Sequence, residues 1–131
     1  MDFNRDWLEY KRGFGDINAE FFIGLEKLHT LTSTLMPVEL LIQLQDFVNG
    51  TRYAKYDDFQ VGNETENYKL IKLGSYVGDA GDSFSYYVGS NFSTKDRDND
   101  DNFKINCAEY FTAPWWYNKC YYRSVKLSFI F

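Results

Sequence analysis

Basic residues, histidine, cysteine and proline are all scarce in this chain of 131 residues. Fourteen Lys and Arg face nineteen Asp and Glu, for a net charge of −5. A nucleic-acid binder presents a basic face, and this composition excludes that class. Two cysteines and a single histidine, His29, far from both in sequence, do not make a tetrahedral zinc site. No apolar run approaches the ~20 residues a membrane span needs. No basic-then-apolar leader is expected from the opening residues, where Met1 is followed at once by Asp2, Asn4, Arg5 and Asp6. What is abundant is aromatic carbon: 12 Phe, 11 Tyr and 3 Trp make a fifth of the chain, which excludes a disordered chain. The length suits one domain with a buried core.

No repeat, low-complexity tract or linker divides the sequence. A first helix is expected around Phe3, Trp7 and Tyr10, capped by Asn4 or Asp2 and ended by Gly13 and Gly15. A second is expected from Glu20 to about Leu31, with Phe21, Leu25, Leu28 and Leu31 on one face and Gly24 inside. After Pro37 the period shortens to two: Leu40, Ile42 and Leu44 alternate with Leu41, Gln43 and Gln45, the pattern of a strand. Asn49-Gly50 predicts a two-residue hairpin turn into a second strand, Arg52 to Val61, and a third runs from Tyr68 to Leu73. Gly74 to Asn106 is rich in Gly, Ser, Asp and Asn and predicts a long irregular segment, the kind held by function, a metal or a crosslink. Helices followed by antiparallel strands and a loop-rich part give an α+β domain.

The densest chemistry lies in Asp96-Arg97-Asp98-Asn99-Asp100-Asp101. Carboxylates so spaced on a loop suit a hard cation bound through oxygen; the alternative is a solvated acidic loop. Mutual repulsion favours the cation, and Ca²⁺ over the geometrically stricter Mg²⁺. The run is not an EF-hand, because Asp101 stands where Gly is required and Cys107 where a bidentate Glu is required. Cys107 and Cys120 are too far apart for a C-x-x-C motif and leave two readings, a disulfide or two buried thiols. Tyr110-Phe111, Trp115-Trp116-Tyr117 and Tyr121-Tyr122 offer flat apolar faces suited to sugars or acetyl groups, although the Trp pair reads first as core. Catalysis finds no support: His29 has no nucleophile suggested beside it, and Gly13-Phe14-Gly15 lacks the third glycine of a dinucleotide fingerprint. Asn49, Asn63 and Asn91 each head an N-x-S/T tripeptide at an expected turn or loop, the setting of a glycosylation acceptor.

Several stretches together resemble the fibrinogen C-terminal, or fibrinogen-related, domain family. They are Asp2 to Trp7 with Tyr10 to Gly15, Glu20 to Leu25 with Leu31-Thr32, and Ala54-Lys55-Tyr56. Further on come Phe92-Ser93-Thr94 with Asp96 to Asp100, Asn106-Cys107-Ala108-Glu109, and Trp115 to Cys120, all in the family's order. The resemblance implies a fibrinogen C-terminal-like fold: two short helices, a twisted, mainly antiparallel sheet and a long calcium-loop region. It implies Ca²⁺ as the cofactor, held by the Asp98 and Asp100 side chains and by carbonyls near Phe103 and Ile105. It also implies a disulfide between Cys107 and Cys120, a cis peptide bond at Lys119-Cys120, and a ligand pocket at Phe111, Lys119, Cys120 and Tyr121. The implied function is a secreted, calcium-stabilised recognition module for acetylated glycans or an extracellular protein partner, of the ficolin, tachylectin or angiopoietin kind, and not an enzyme.

The departures from the family bear on the pocket. Tyr121 stands where a His often follows the second cysteine, Phe111 lacks the hydroxyl of the Tyr common in acetyl-binding members, and the loop between Asp100 and Cys107 is one residue longer. Residues 1–120 read as a partial domain, truncated at both ends, and 121–131 as a divergent tail. The alternative reading is therefore a truncated, non-functional fragment with an incomplete pocket. An extracellular location is implied by the family although no leader is visible, and oligomers are expected only where a longer product supplies a stem.

Overall fold

In the computed structural model the residues described are 1–46, 48 and 50–120. Helix α1 is Trp7–Arg12 and is started by Asp6, not by Asp2 or Asn4. The Asp6 carboxylate accepts the Glu9 N–H at 2.9 Å and the Glu9 carboxylate accepts the Asp6 N–H at 3.2 Å, a reciprocal cap that satisfies two donors at the helix start. Asp2 closes only a local turn, accepting the Asn4 N–H. The helix buries Trp7 and Tyr10.

The second helix is shorter than its spacing predicts. Phe14–Gly15 and Phe21–Phe22 pair as strands β1 and β2, and helix α2 runs only over Leu25–Thr32. Gly24 flanks the helix start with φ of 107°, a backbone state no helix interior contains, so the four-residue step from Phe21 to Leu25 is not a helical one. The buried face is Leu25, Leu28 and Thr32, while Leu31 is 54% exposed.

The alternating segments form strands β3 (Leu40–Asp46) and β4 (Gly50–Tyr56), paired antiparallel from Leu40 opposite Tyr56 to Asp46 opposite Gly50. Gly50, with φ of 84°, opens β4; the expected Asn49-Gly50 turn falls on Asn49, which lies outside the described residues. The expected strand from Arg52 to Val61 breaks at Asp57: there the Asp57 carboxylate accepts the Ser75 N–H and the Phe59 N–H turns to the Val38 carbonyl. Gln60–Val61 restarts as β5 and pairs with β6, Leu70–Lys72, within the expected third strand. Part of the segment expected to be irregular is ordered: Tyr76–Gly78 is β7, paired with β4 through Tyr56, Lys55 and Ala54.

The core joins both halves of the chain. Trp7, Tyr10 and Phe22 from the first third meet Tyr56, Tyr68, Phe84, Phe92 and Trp116, with aromatic rings in tilted and edge-to-face contact throughout. Trp116 is 1% exposed and Trp115 packs against the same core, so the tryptophan pair is core as expected.

Two predictions follow from this packing. Gly78 lies opposite Ala54 with φ of 154°, and a Cβ there would be driven into the Tyr53 carbonyl oxygen. Gly78→Ala should separate β7 from β4 and lower the denaturation midpoint more than Gly81→Ala, where a Cβ meets nothing and only the strain of a φ of 89° is added. Burial, then hydrogen bonding to nearby carboxylates for Tyr56 and Tyr68, raises the Tyr10, Tyr56 and Tyr68 phenols well above the ordinary 10.0. Groups that hold protons more tightly when folded contribute stability fully below their unfolded value, and lose it as pH rises above about 10 towards their folded values. An alkaline absorbance titration should show these phenols ionising together with unfolding, after the exposed tyrosines.

Candidate functional site

The acidic loop is built from an inward and an outward half. Thr94 and Arg97 exchange backbone hydrogen bonds at 3.0 and 3.1 Å, closing a tight turn over Lys95 and Asp96. Asp96 faces inward: its carboxylate accepts the Thr94 hydroxyl at 2.7 Å and the Trp7 N–H at 2.9 Å, so it satisfies the start of helix α1. The Arg97 guanidinium lies 4.2 Å over the Trp7 ring. Asn99 faces inward too, its N–H donating to the Ser93 hydroxyl and its side chain to the Phe92 carbonyl. Ser93 is itself fully buried and bridged to Trp115.

Asp98 and Asp100 are brought together. The Asp98 carboxylate accepts the Asp100 N–H at 3.3 Å, and the Asp100 carboxylate accepts the Asn102 and Cys107 N–H groups, both at 2.8 Å. Partial desolvation raises the Asp98 carboxyl above the ordinary carboxylate range even though solvent reaches it, and hydrogen bonding and repulsion from Asp100 raise it further. Asn102 turns the chain back, accepting the Lys104 N–H at 2.9 Å and the Ile105 N–H at 3.4 Å. Phe103 projects into solvent at 103% exposure. The carbonyls of Phe103 and Ile105 accept no hydrogen bond among the described residues. Two neighbouring carboxylates, with lone pairs to spare on each oxygen, and two uncommitted carbonyls are a donor set that fits a hard cation such as Ca²⁺.

Cys107 opens the short helix α3, Cys107–Tyr110, whose first donors are satisfied by the Asn106 side-chain oxygen. Cys107 is joined to Cys120 by a disulfide with the Cα atoms 5.5 Å apart. One Asp100 oxygen lies within 4.8 Å of both sulfurs, but sulfurs joined to each other supply no thiolate, so this cluster is not a soft-metal site. The Lys119-Cys120 bond is not the cis bond the family resemblance implies: no cis peptide occurs among the described residues, and Cys120 takes the bend through a φ of 69° instead.

The aromatic residues beside the disulfide divide by burial. Phe111 hangs from α3, its N–H donating to the Cys107 carbonyl, and its ring stacks on Tyr117 at 5.9 Å with 17° between planes. Tyr110 meets Phe111 edge-on and is 68% exposed, while Phe111 is 45% exposed. Tyr117 is fixed by its hydroxyl donating to the Ala113 carbonyl. Lys119 is exposed, and its carbonyl accepts from Asn102 at 3.4 Å, tying it to the acidic loop; Tyr121 lies outside the described residues. Asp96 and Asn99 were read only as part of the acidic run and Tyr117 only as one of the aromatics, and the positioning role of Asn102 was not read from the sequence.

The family model for the C-terminal globular domain of fibrinogen beta and gamma chains matches residues 1–130. The chain belongs to the fibrinogen C-terminal domain family. Ryncolin-4 of Cerberus rynchops is 48% identical over 122 residues, which are 92% of this chain and 34% of that protein. The fibrinogen-like globe domain of human ANGPTL6 superposes with a TM-score of 0.85 at 42% identity, covering 92% of this chain and 53% of that one. A lamprey fibrin D-dimer, solved with the peptide Gly-His-Arg-Pro-amide, superposes with a TM-score of 0.80 at 33% identity over 99% of this chain and 49% of that one. The fibrinogen-like domain described here thus spans about a third of ryncolin-4 and about half of these two solved chains. Its α+β fold, with few helices and antiparallel sheets, is that of the fibrinogen-like globe. Among the described residues no helix is long and apolar enough to cross a membrane.

The disulfide joins residues 13 apart in sequence and closes a loop holding α3 and Trp115-Trp116, just after the acidic segment. Cys107→Ser/Cys120→Ser should lower unfolding stability by about 3 kcal/mol in the chain-entropy estimate, read from urea denaturation of the variant against the oxidised wild type.

Proposed function

We propose that this fibrinogen-like domain is an extracellular, calcium-stabilised recognition module that binds an acetylated glycan or a protein partner beside the Cys107–Cys120 disulfide. The observation that carries the reading is the pairing of Asp98 and Asp100, in a loop whose Phe103 and Ile105 carbonyls accept no hydrogen bond among the described residues. Those four groups would hold Ca²⁺, which supplies the positive charge that relieves their repulsion and stiffens the loop. The exposed Tyr110 and Phe111, the latter stacked on Tyr117, then offer a flat apolar surface, with Lys119 as a charged neighbour. Kinship with ryncolin-4 and the angiopoietin-like globes supports a recognition role over catalysis. The lamprey fibrin neighbour was solved with a short peptide, which makes a peptide terminus a ligand class to test beside acetylated sugars.

The test is a thermal melt of the oxidised protein in calcium and in chelator. Calcium at 100 times its dissociation constant should stabilise the wild type by about 2.7 kcal/mol, a shift of several degrees, and should leave Asp98→Ala/Asp100→Ala unmoved. An equal shift in both proteins, or none in the wild type, overturns the calcium assignment. Acetylated-sugar and peptide panels, read by calorimetry, should then show binding that Phe111→Ala weakens.

A further inference from the structure

Three N-x-S/T tripeptides occur, and the described structure sets two of them apart; Asn49 lies outside the described residues. In Asn91-Phe92-Ser93, Phe92 and Ser93 are 2% and 0% exposed. The Phe92 N–H is bonded to the Asn67 carbonyl, Ser93 is bridged to Trp115, and the Ser93 hydroxyl accepts from Asn99. Once the domain has folded, that tripeptide is closed to an enzyme unless the core opens.

Asn63-Glu64-Thr65 is the reverse case. Asn63 stands just after β5 and starts a single 3₁₀ turn, Glu64–Glu66, with Thr65 and Glu66 exposed. Its side-chain oxygen accepts the Glu66 N–H at 3.0 Å and the Thr65 hydroxyl at 2.6 Å. Its Nδ2 donates no hydrogen bond among the described residues. Oxygen and nitrogen are therefore divided between two tasks: Oδ1 holds the turn, and Nδ2 is uncommitted at the surface. A carboxamide keeps its carbonyl acceptor when its nitrogen is substituted, so a group added at Nδ2 removes none of the bonds that form this turn.

We propose that Asn63 is an N-glycosylation site of this domain. Nδ2 attacks the anomeric carbon of a polyprenyl-diphosphate-linked oligosaccharide. A new N–C bond replaces the C–O bond to the diphosphate, which leaves with the electron pair, and the nitrogen gives up one proton to a base of the transferase. The inference rests on the extracellular reading, because this donor is met in the secretory pathway.

The test expresses the chain behind a supplied cleavable leader in animal cells and recovers it from lysate and medium. Glycopeptides are then mapped by mass spectrometry before and after peptide-N-glycosidase. The supplied leader makes the result independent of how the native chain is targeted, and no calcium is involved, so failure here leaves the reading of the loop untouched. The expected result is occupancy at Asn63 exceeding that at Asn91, lost to background in Asn63→Gln and in Thr65→Ala and restored in Thr65→Ser. Thr65→Ala leaves the Asn63 oxygen free to hold the turn and so separates loss of the acceptor from loss of fold. An unmodified Asn63 peptide in the wild type, a glycan that persists in Thr65→Ala, or higher occupancy at Asn91 overturns the proposal.

Discussion

The indole N–H of Trp116 donates to the Tyr68 carbonyl at 2.8 Å in a fully buried setting, and the ring around it meets Phe84, Phe92 and Trp115. Tyr68 holds that carbonyl inward through a φ of 47°, an uncommon state for a bulky residue, kept because its own ring is packed on Trp7 and its hydroxyl donates to Glu26. One hydrogen bond therefore joins the C-terminal loops to the strands, and through Trp7 to helix α1. A carbonyl so buried is costly to leave unpaired. The irregular half of the chain owes its order to this aromatic centre more than to any ladder of strands.

The acidic loop hangs from the same centre. Asp96 and Arg97 grip Trp7 from outside through its backbone N–H and its ring, and Ser93 and Asn99 fix the loop's inner wall. With those residues committed, Asp98 and Asp100 are left on the other side with each other's charge. Labour is divided along five consecutive residues: some carboxylates and amides are spent on position, and the remaining pair is held close.

Much of the fold was legible because it is periodic. The two-residue alternation from Leu40 to Asp46 marks a strand with one face inward, and Trp7 and Tyr10 mark a short helix. Misreadings came where spacing imitates a period. Phe21 and Leu25 are four apart yet lie either side of a left-handed glycine. Strand β7 escaped notice because Tyr76–Gly78 is too short to show alternation. In the candidate site, the closeness of Asp98 and Asp100 was legible from carboxylate spacing, and the Cys107–Cys120 disulfide from the resemblance. Asp96 was read only as one more acidic residue, since its partner Trp7 is 89 positions away and no local pattern encodes such a contact.

The β3–β4 hairpin has a gradient built into it. Only Ala54 to Tyr56 of β4 has a strand on each side, and only near this end do Leu40, Ile42, Ala54 and Tyr56 bury their side chains. From Gln43 to Gln45 on one strand and Gly50 to Tyr53 on the other, the residues are exposed, whichever face they point to. Beyond Tyr53, whose N–H is held by the Asp79 carboxylate, the described amides are guarded by the β3–β4 ladder alone and those at the base by the whole core, so solvent exchange should slow stepwise towards the base.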